Sequence, residues 1–147
     1  MDGTQPALAL STNVSQEEYR QVCRGLIGYN VARTAGEVEK PGLDINVVLK
    51  DEQGHVWGGC FCETWLYSLY VDVLWIDERV RGRGYGRALM EEAERIGREH
   101  GCTFAHTTTF SYQAPEFYQA VGYTIFAAMD DYPDGIVQYF LKKKLNH

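Results

Sequence analysis

Four arginines and three glycines fall within nine residues, as Arg79, Arg81, Gly82, Arg83, Gly84, Gly86 and Arg87. These residue types suit one chemistry, the binding of a dense anion. Glycines let the backbone come close to a ligand, and guanidinium groups add full charges and forked donors. The flanking pattern supplies a third source of positive potential. The strand-forming run Val73-Leu74-Trp75-Ile76 ends at Asp77, and a helical pattern begins near Tyr85. The first N–H groups of such a helix have no internal acceptor, and its dipole is positive there. Strand, glycine loop and helix together specify a site for a diphosphate or a comparably anionic group.

The elements that position this loop follow from the chain in order. Met1 to Val14 is small and polar, with a short strand expected over Ala7 to Leu10. Ser15-Gln16-Glu17-Glu18 has the form of a capping box, and Tyr19, Val22, Cys23, Leu26 and Ile27 follow at helical spacing. Gly36 to Gly42 is rich in turn formers and charges and reads as a loop beside a binding site. Asp44 to Leu49 and His55 to Trp65 form a hairpin about the turn Asp51-Glu52-Gln53-Gly54, and Ser68 to Ile76 is a third strand. The helix after the loop, Gly84 to Glu99, places Tyr85, Leu89, Ala93 and Ile96 on one stripe and most of its charges, Glu94 among them, elsewhere. Phe104 to Thr109 resumes strand character, which makes the connection a parallel crossover. A short helix with Pro115 in its first turn, a strand from Tyr123 to Met129, a turn from Asp130 to Gly135 and a strand from Val137 to Lys142 complete the chain.

Bulk properties narrow the partners. A chain of 147 residues with 45% hydrophobic residues can bury one substantial core, so residues 1–147 are expected to form a single domain. A net charge of −6 argues against general attraction to nucleic acid or to an anionic membrane. The arginine loop is then a local positive field suited to a small anion. No apolar run approaches the roughly 20 residues that span a bilayer, and a cytoplasmic location is expected. Cys23, Cys60, Cys62 and Cys102 lack metal-ligand spacing and read as reduced thiols, so no metal is expected.

Two nucleotide loops are excluded by residue. No Lys-Ser or Lys-Thr follows the glycines, and a G-x-G-x-x-G fingerprint starting at Gly82 would meet Arg87 where its third glycine belongs. What remains, Arg81-Gly82-Arg83-Gly84-Tyr85-Gly86, has the form R-x-x-G-x-G. In its strand-loop-helix setting it resembles the GNAT superfamily of N-acetyltransferases, and the order of the other elements resembles that family from the first helix to the last strand. The resemblance implies an α+β fold whose central, mostly antiparallel twisted sheet has six to seven strands, a parallel splayed pair, and three to four flanking helices.

The same resemblance implies acetyl-CoA as cosubstrate. Its pyrophosphate would lie on backbone N–H groups of Arg81, Gly82, Arg83, Gly84, Tyr85, Gly86 and Arg87, and its pantetheine arm along Leu74, Trp75 and Ile76. Tyr118, in Ala114-Pro115-Glu116-Phe117-Tyr118-Gln119-Ala120-Val121-Gly122-Tyr123, matches the tyrosine whose hydroxyl lies near the sulfur and can protonate the departing thiolate. Where family members often carry an asparagine before this helix, the chain has Ser111, Tyr112 and Gln113, with Ser111 or Gln113 as the substitute. A carboxylate on the strand before the loop commonly faces the amine. Asp72 fills that role here, although Tyr70 is the closer positional match. Glu63, Asp130 and Asp131 are further carboxylates for an acceptor pocket and hint at a cationic amine, while His106 is a weaker candidate base.

The expected activity is acetyl transfer to a primary amine of a small molecule or peptide by direct attack in a ternary complex. Alternatives are an acyltransferase using another acyl-CoA and a CoA-binding sensor without turnover. A homodimer built on Trp57 to Tyr70 and Tyr132 to Phe140 is a further option that the resemblance raises.

Overall fold

The computed structural model describes residue 3, residues 6–39 and residues 42–145. Met1, Asp2, Thr4 and Gln5 of the N-terminal segment, and Lys40 and Pro41 of the expected loop, lie outside the described residues. Two compact units are present, residues 1–39 and 40–147.

The first unit is the helix α1 (Gln16–Arg33) followed by a 3-10 turn, Glu37–Glu39. Its capping box forms as the sequence predicts: the Glu18 N–H donates to Ser15 Oγ at 3.1 Å, and the Ser15 N–H donates to Glu18 Oε1 at 2.8 Å. None of the helix residues is buried. The expected strand over Ala7 to Leu10 does not form. These residues are exposed coil.

The second unit is a six-stranded sheet with two helices. In chain order it contains β1 (Asp44–Lys50), β2 (Val56–Trp65), β3 (Ser68–Ile76), α2 (Tyr85–Glu99), β4 (Phe104–Phe110), α3 (Pro115–Ala120), β5 (Thr124–Met129) and β6 (Gln138–Lys144). The spatial order is β1-β2-β3-β4-β6-β5, antiparallel throughout except for the β3–β4 pair that flanks the α2 crossover. One row of paired residues, Ile45, Cys62, Val71, Thr107, Leu141 and Ile125, crosses all six strands. The first five are buried, and with Leu89, Met90 and Ala93 of α2 they define the core face. The next row, Asp44, Glu63, Tyr70, His106, Lys142 and Thr124, lies on the opposite face, as the period of two requires. Strand count, helix count and the parallel pair agree with the expected architecture.

Glu94 departs from the sequence pattern. It sits on the buried side of α2, 2% exposed, where it accepts hydrogen bonds from the Tyr123 hydroxyl and from Lys143 Nζ, both at 2.8 Å. Lys143 also donates to the Val121 carbonyl at 2.9 Å, so this one ion pair joins α2, β6 and the end of α3. Among the described residues no helix is long and apolar enough to cross a membrane.

Candidate active site

The glycine loop leads into α2 through two left-handed residues, Gly82 at φ +76° and Gly84 at φ +84°. A Cβ at either position would stand in open space, so it is the backbone conformation that selects glycine there. Gly84 caps α2 without a side-chain bond, and the first helical bond runs from the Ala88 N–H to the Gly84 carbonyl. The six N–H groups from Gly82 to Arg87 consequently have no acceptor among the described residues. Gly86 has a different reason: an added Cβ would lie 3.0 Å and 3.1 Å from the Phe117 ring, so its absence lets α3 pack against the first turn of α2.

The arginines divide by task. Arg79 folds back, giving Asp77 a two-pronged ion pair at 2.9 and 2.8 Å and lying 4.7 Å over the Trp57 ring. That pairing holds the Asp77 carboxyl well below the usual carboxylate range. Arg81 Nε donates to the Ile76 carbonyl at 2.8 Å and ties the loop to the end of β3. Arg87 donates to the Ala120 carbonyl at the C-terminal end of α3. Arg83 has no partner among the described residues.

Next to the loop, the β3–β4 ladder ends at Val71 and Thr107. Beyond that pair β3 stays bonded only to β2, and β4 only to β6, so one side of the β3 backbone from Leu74 to Ile76 has no strand partner across the gap, with only the Ile76 carbonyl taken, by Arg81. A cavity of about 670 Å³ occupies this region. Leu74, Trp75, Ile76, Val80, Arg81, Gly82, Gly84, Tyr85, Gly86, Arg87, Tyr112, Gln113, Ala114, Phe117, Ala120 and Val121 line it. Of the residues named for the donor from sequence, the lining includes all but Arg83 and Ser111.

Just before the splay, β3 bulges. Cys62 pairs with Val71 and Phe61 with Val73, which leaves Asp72 as the extra residue. An unbroken strand would put Asp72 on one face with Tyr70, Leu74 and Ile76, as the sequence leads one to expect; the bulge breaks that parity, since Leu74 pairs with Cys60 and shares the face of Val71. Asp72 is exposed at the fork of the two strands.

Tyr118 is 8% exposed on α3, next to the lining residue Phe117, and is not itself among the lining residues. Thr107 neighbours the phenol and donates its own hydroxyl to the Val71 carbonyl at 2.8 Å, which puts Tyr118 by the last pair of the parallel ladder. Burial pushes the phenol up to about 12, against a smaller opposing effect of the neighbouring Thr107 hydroxyl. It is therefore a protonated donor at neutral pH. Glu63, Tyr70 and His106 fall on one row of the opposite sheet face, with the Tyr70 and His106 rings 5.0 Å apart. Burial lowers the His106 pKa from its ordinary value, which keeps the imidazole neutral. Asp130 and Asp131 are exposed at the β5–β6 connection.

The side chains of Ser111 and Gln113 shape the turn before α3. Ser111 accepts from the Val137 N–H at 3.0 Å and donates its own N–H to the Val137 carbonyl at 2.8 Å. Gln113 Oε1 accepts from the Phe110 N–H at 2.8 Å and from the Thr109 hydroxyl at 3.2 Å. Sequence reasoning missed Tyr112 and Phe117 in the cavity wall. Two aromatic residues among 16 Tyr and Phe carry no local signal, whereas the Gly86–Phe117 contact is visible only in three dimensions.

A left-handed glycine loop opening a helix, a splayed parallel pair and a shared cavity describe one way of holding a long anionic ligand. The family model of the acetyltransferase (GNAT) domain matches residues 43–125. The chain belongs to the GNAT acetyltransferases. Blasticidin-S acetyltransferase of Streptomyces morookaense is 42% identical to it over 95 residues, covering 64% of this chain and 70% of that protein. A crystal structure of an acetyltransferase from Bacillus cereus superposes with a TM-score of 0.86 at 36% identity, covering 92% of this chain and 97% of that one. A protein from Bacillus anthracis described as a streptothricin acetyltransferase, solved with acetyl coenzyme A, shares the fold. Its TM-score is 0.64 at 17% identity, over 76% of this chain and 68% of that chain. In this GNAT acetyltransferase the bulge at Asp72 and the splay after Val71 are thus parts of an enzyme fold.

Proposed function

We propose that the enzyme transfers the acetyl group of acetyl-CoA to a primary amine of a small molecule or peptide, by direct attack with both substrates bound. The observation that carries this reading is that a loop with six unpaired N–H groups and a one-sided strand edge border the same cavity. The first suits a diphosphate and the second an amide-containing arm. Acetyl-CoA brings an already activated thioester, so the chain's residues need to position, deprotonate and protonate.

The backbone of Leu74 to Ile76 orients the donor arm, and the loop from Arg81 to Arg87 fixes its diphosphate. Asp72, exposed at the fork, takes the proton of the attacking ammonium directly or through water. His106 is the second reading for this role, favoured by its neutral imidazole stacked on Tyr70. Tyr118 gives its phenolic proton, or a hydrogen bond, to the sulfur as the thiolate departs. The high phenol pKa supports this assignment, because a donor must still hold its proton when the sulfur needs it. Likeness to a protein named for blasticidin S supports a small-molecule acceptor over a peptide.

The test is incubation of the protein with acetyl-CoA and a panel of small amines, blasticidin S included, with free thiol and product mass both followed. The reading expects equimolar thiol and acetylated amine. Thiol release at the same rate without any amine would count against it, and faster turnover with another acyl-CoA would redirect the donor assignment.

A further inference from the structure

The turn between β4 and α3 holds a feature that neither the loop nor the proton transfers use. Tyr112 is 68% exposed, yet it lines the cavity wall. Its ring is stacked on Phe110 with centroids 5.4 Å apart and planes only 13° from parallel. Tyr132, from the β5–β6 connection, meets Phe110 edge-on, with centroids 5.5 Å apart and planes at 73°. The Tyr132 hydroxyl donates to Gln138 Oε1 at 2.8 Å, and Gln138 is the ladder partner of Phe110.

The backbone under Tyr112 is equally fixed. Residues on both sides of it, Ser111 and Gln113, spend their side chains on the Val137 and Phe110 N–H groups. The result is a flat, exposed aromatic ring in the lining of the cavity, backed by a second ring and held by a locked turn. A single exposed tyrosine needs no explanation. A stacked one, rigidly presented in the wall of a ligand cavity, has the form of a platform for a planar ring.

We propose that Tyr112, supported by Phe110 and Tyr132, is a stacking subsite for a planar aromatic or heteroaromatic ring of a ligand bound in this cavity. The inference rests on the reading of the cavity as the acetyl-transfer site. Two ligands can bring such a ring: the donor, through its adenine, and the acceptor, if it carries a base or other aromatic group. The chemistry of recognition is the same in both cases.

The experiment compares wild-type protein with Tyr112→Ala and Tyr112→Phe in two arms. In the donor arm, calorimetry measures binding of CoA and of pantetheine, which lacks the adenine nucleotide. In the acceptor arm, KM is compared between ring-bearing amines, blasticidin S and tryptamine, and ring-free aliphatic amines. Base–aromatic stacking predicts a weakening of about tenfold for the ring-bearing ligand with Tyr112→Ala, no change for its ring-free counterpart, and recovery with Tyr112→Phe. The arm that shows this pattern names the source of the ring. Equal effects on ring-bearing and ring-free ligands in both arms, no effect included, would overturn the platform. Binding of CoA can be read without turnover, so an inactive wild-type enzyme would count against the acetyl-transfer reading and leave the donor arm decisive for Tyr112.

Discussion

Replacing Gly84 with alanine isolates the backbone contribution to donor binding. Gly84 sits at φ +84°, and a Cβ there would touch nothing within 4 Å, so the substitution adds conformational strain without a clash. A non-glycine residue in the left-handed region costs roughly 1–2 kcal/mol. If the free loop relaxes to escape that strain, the binding-competent conformation must be recovered on association. The apparent Kd for CoA then rises by the same free energy, about 5- to 30-fold. Arg79→Ala is the matched control. Arg79 is one of the four loop arginines, but its donors go to Asp77 and its face to Trp57. Its removal should leave the Kd nearly unchanged. Isothermal titration of CoA into each variant, at fixed ionic strength, reads both numbers. A larger loss from Arg79→Ala than from Gly84→Ala would refute the reasoning and put side-chain charge in place of backbone N–H groups.

Other outcomes follow from the packing around the site. Gly86→Ala keeps ordinary helical backbone but drives a methyl to about 3.0 Å from the Phe117 ring, so a loss of roughly 1–3 kcal/mol in urea denaturation is expected, and an unchanged midpoint would show that the ring yields freely. Lys143→Met strips the buried Glu94 carboxylate of its cation and should cost about 3 kcal/mol, with partial recovery in the Glu94→Gln/Lys143→Met double variant. A change within the scatter of surface substitutions would contradict that account. Tyr118→Phe is expected to lower kcat about 100-fold, the low end for general acids because a thiolate leaves easily, while the KM for acetyl-CoA holds because Tyr118 is not among the residues that line the cavity. The folded phenol ionises near 12 and the unfolded one near 10, so its contribution to stability is complete below pH 10 and is lost as pH rises to about 12. Alkaline denaturation of wild type against Tyr118→Phe should show that loss only in wild type.

What the sequence reveals depends on whether the physical cause is local. The glycine loop is legible because left-handed φ values, a strand end and a helix start all lie within Val73 to Leu89. The parallel β3–β4 pair is legible because a helical crossover between two strands permits little else. The Asp72 bulge is not, since an extra residue shows itself only when β2 fixes the register from outside. Glu94 reads as a surface charge because both of its partners, Tyr123 and Lys143, come from distant strands and turns. Arg79 looks like a ligand residue by composition. Its neighbour Asp77, two residues back, was the available clue that it would fold onto its own strand end. The side chains of Ser111 and Gln113 hold the backbone of their turn through bonds to residues outside it, which the sequence does not show, and Tyr112 between them lines the cavity.

The central claim, that the N–H groups from Gly82 to Arg87 receive the diphosphate of CoA, can be measured amide by amide. Titration of CoA into nitrogen-15 labelled protein, followed by heteronuclear correlation NMR, reports each of these groups separately. The account predicts that the amides of Gly82, Gly84 and Gly86 shift most, together with those of Arg83, Tyr85 and Arg87, and that pantetheine leaves them in place. Saturating CoA that moves the arginine side-chain signals while these six amides stay unshifted would contradict it.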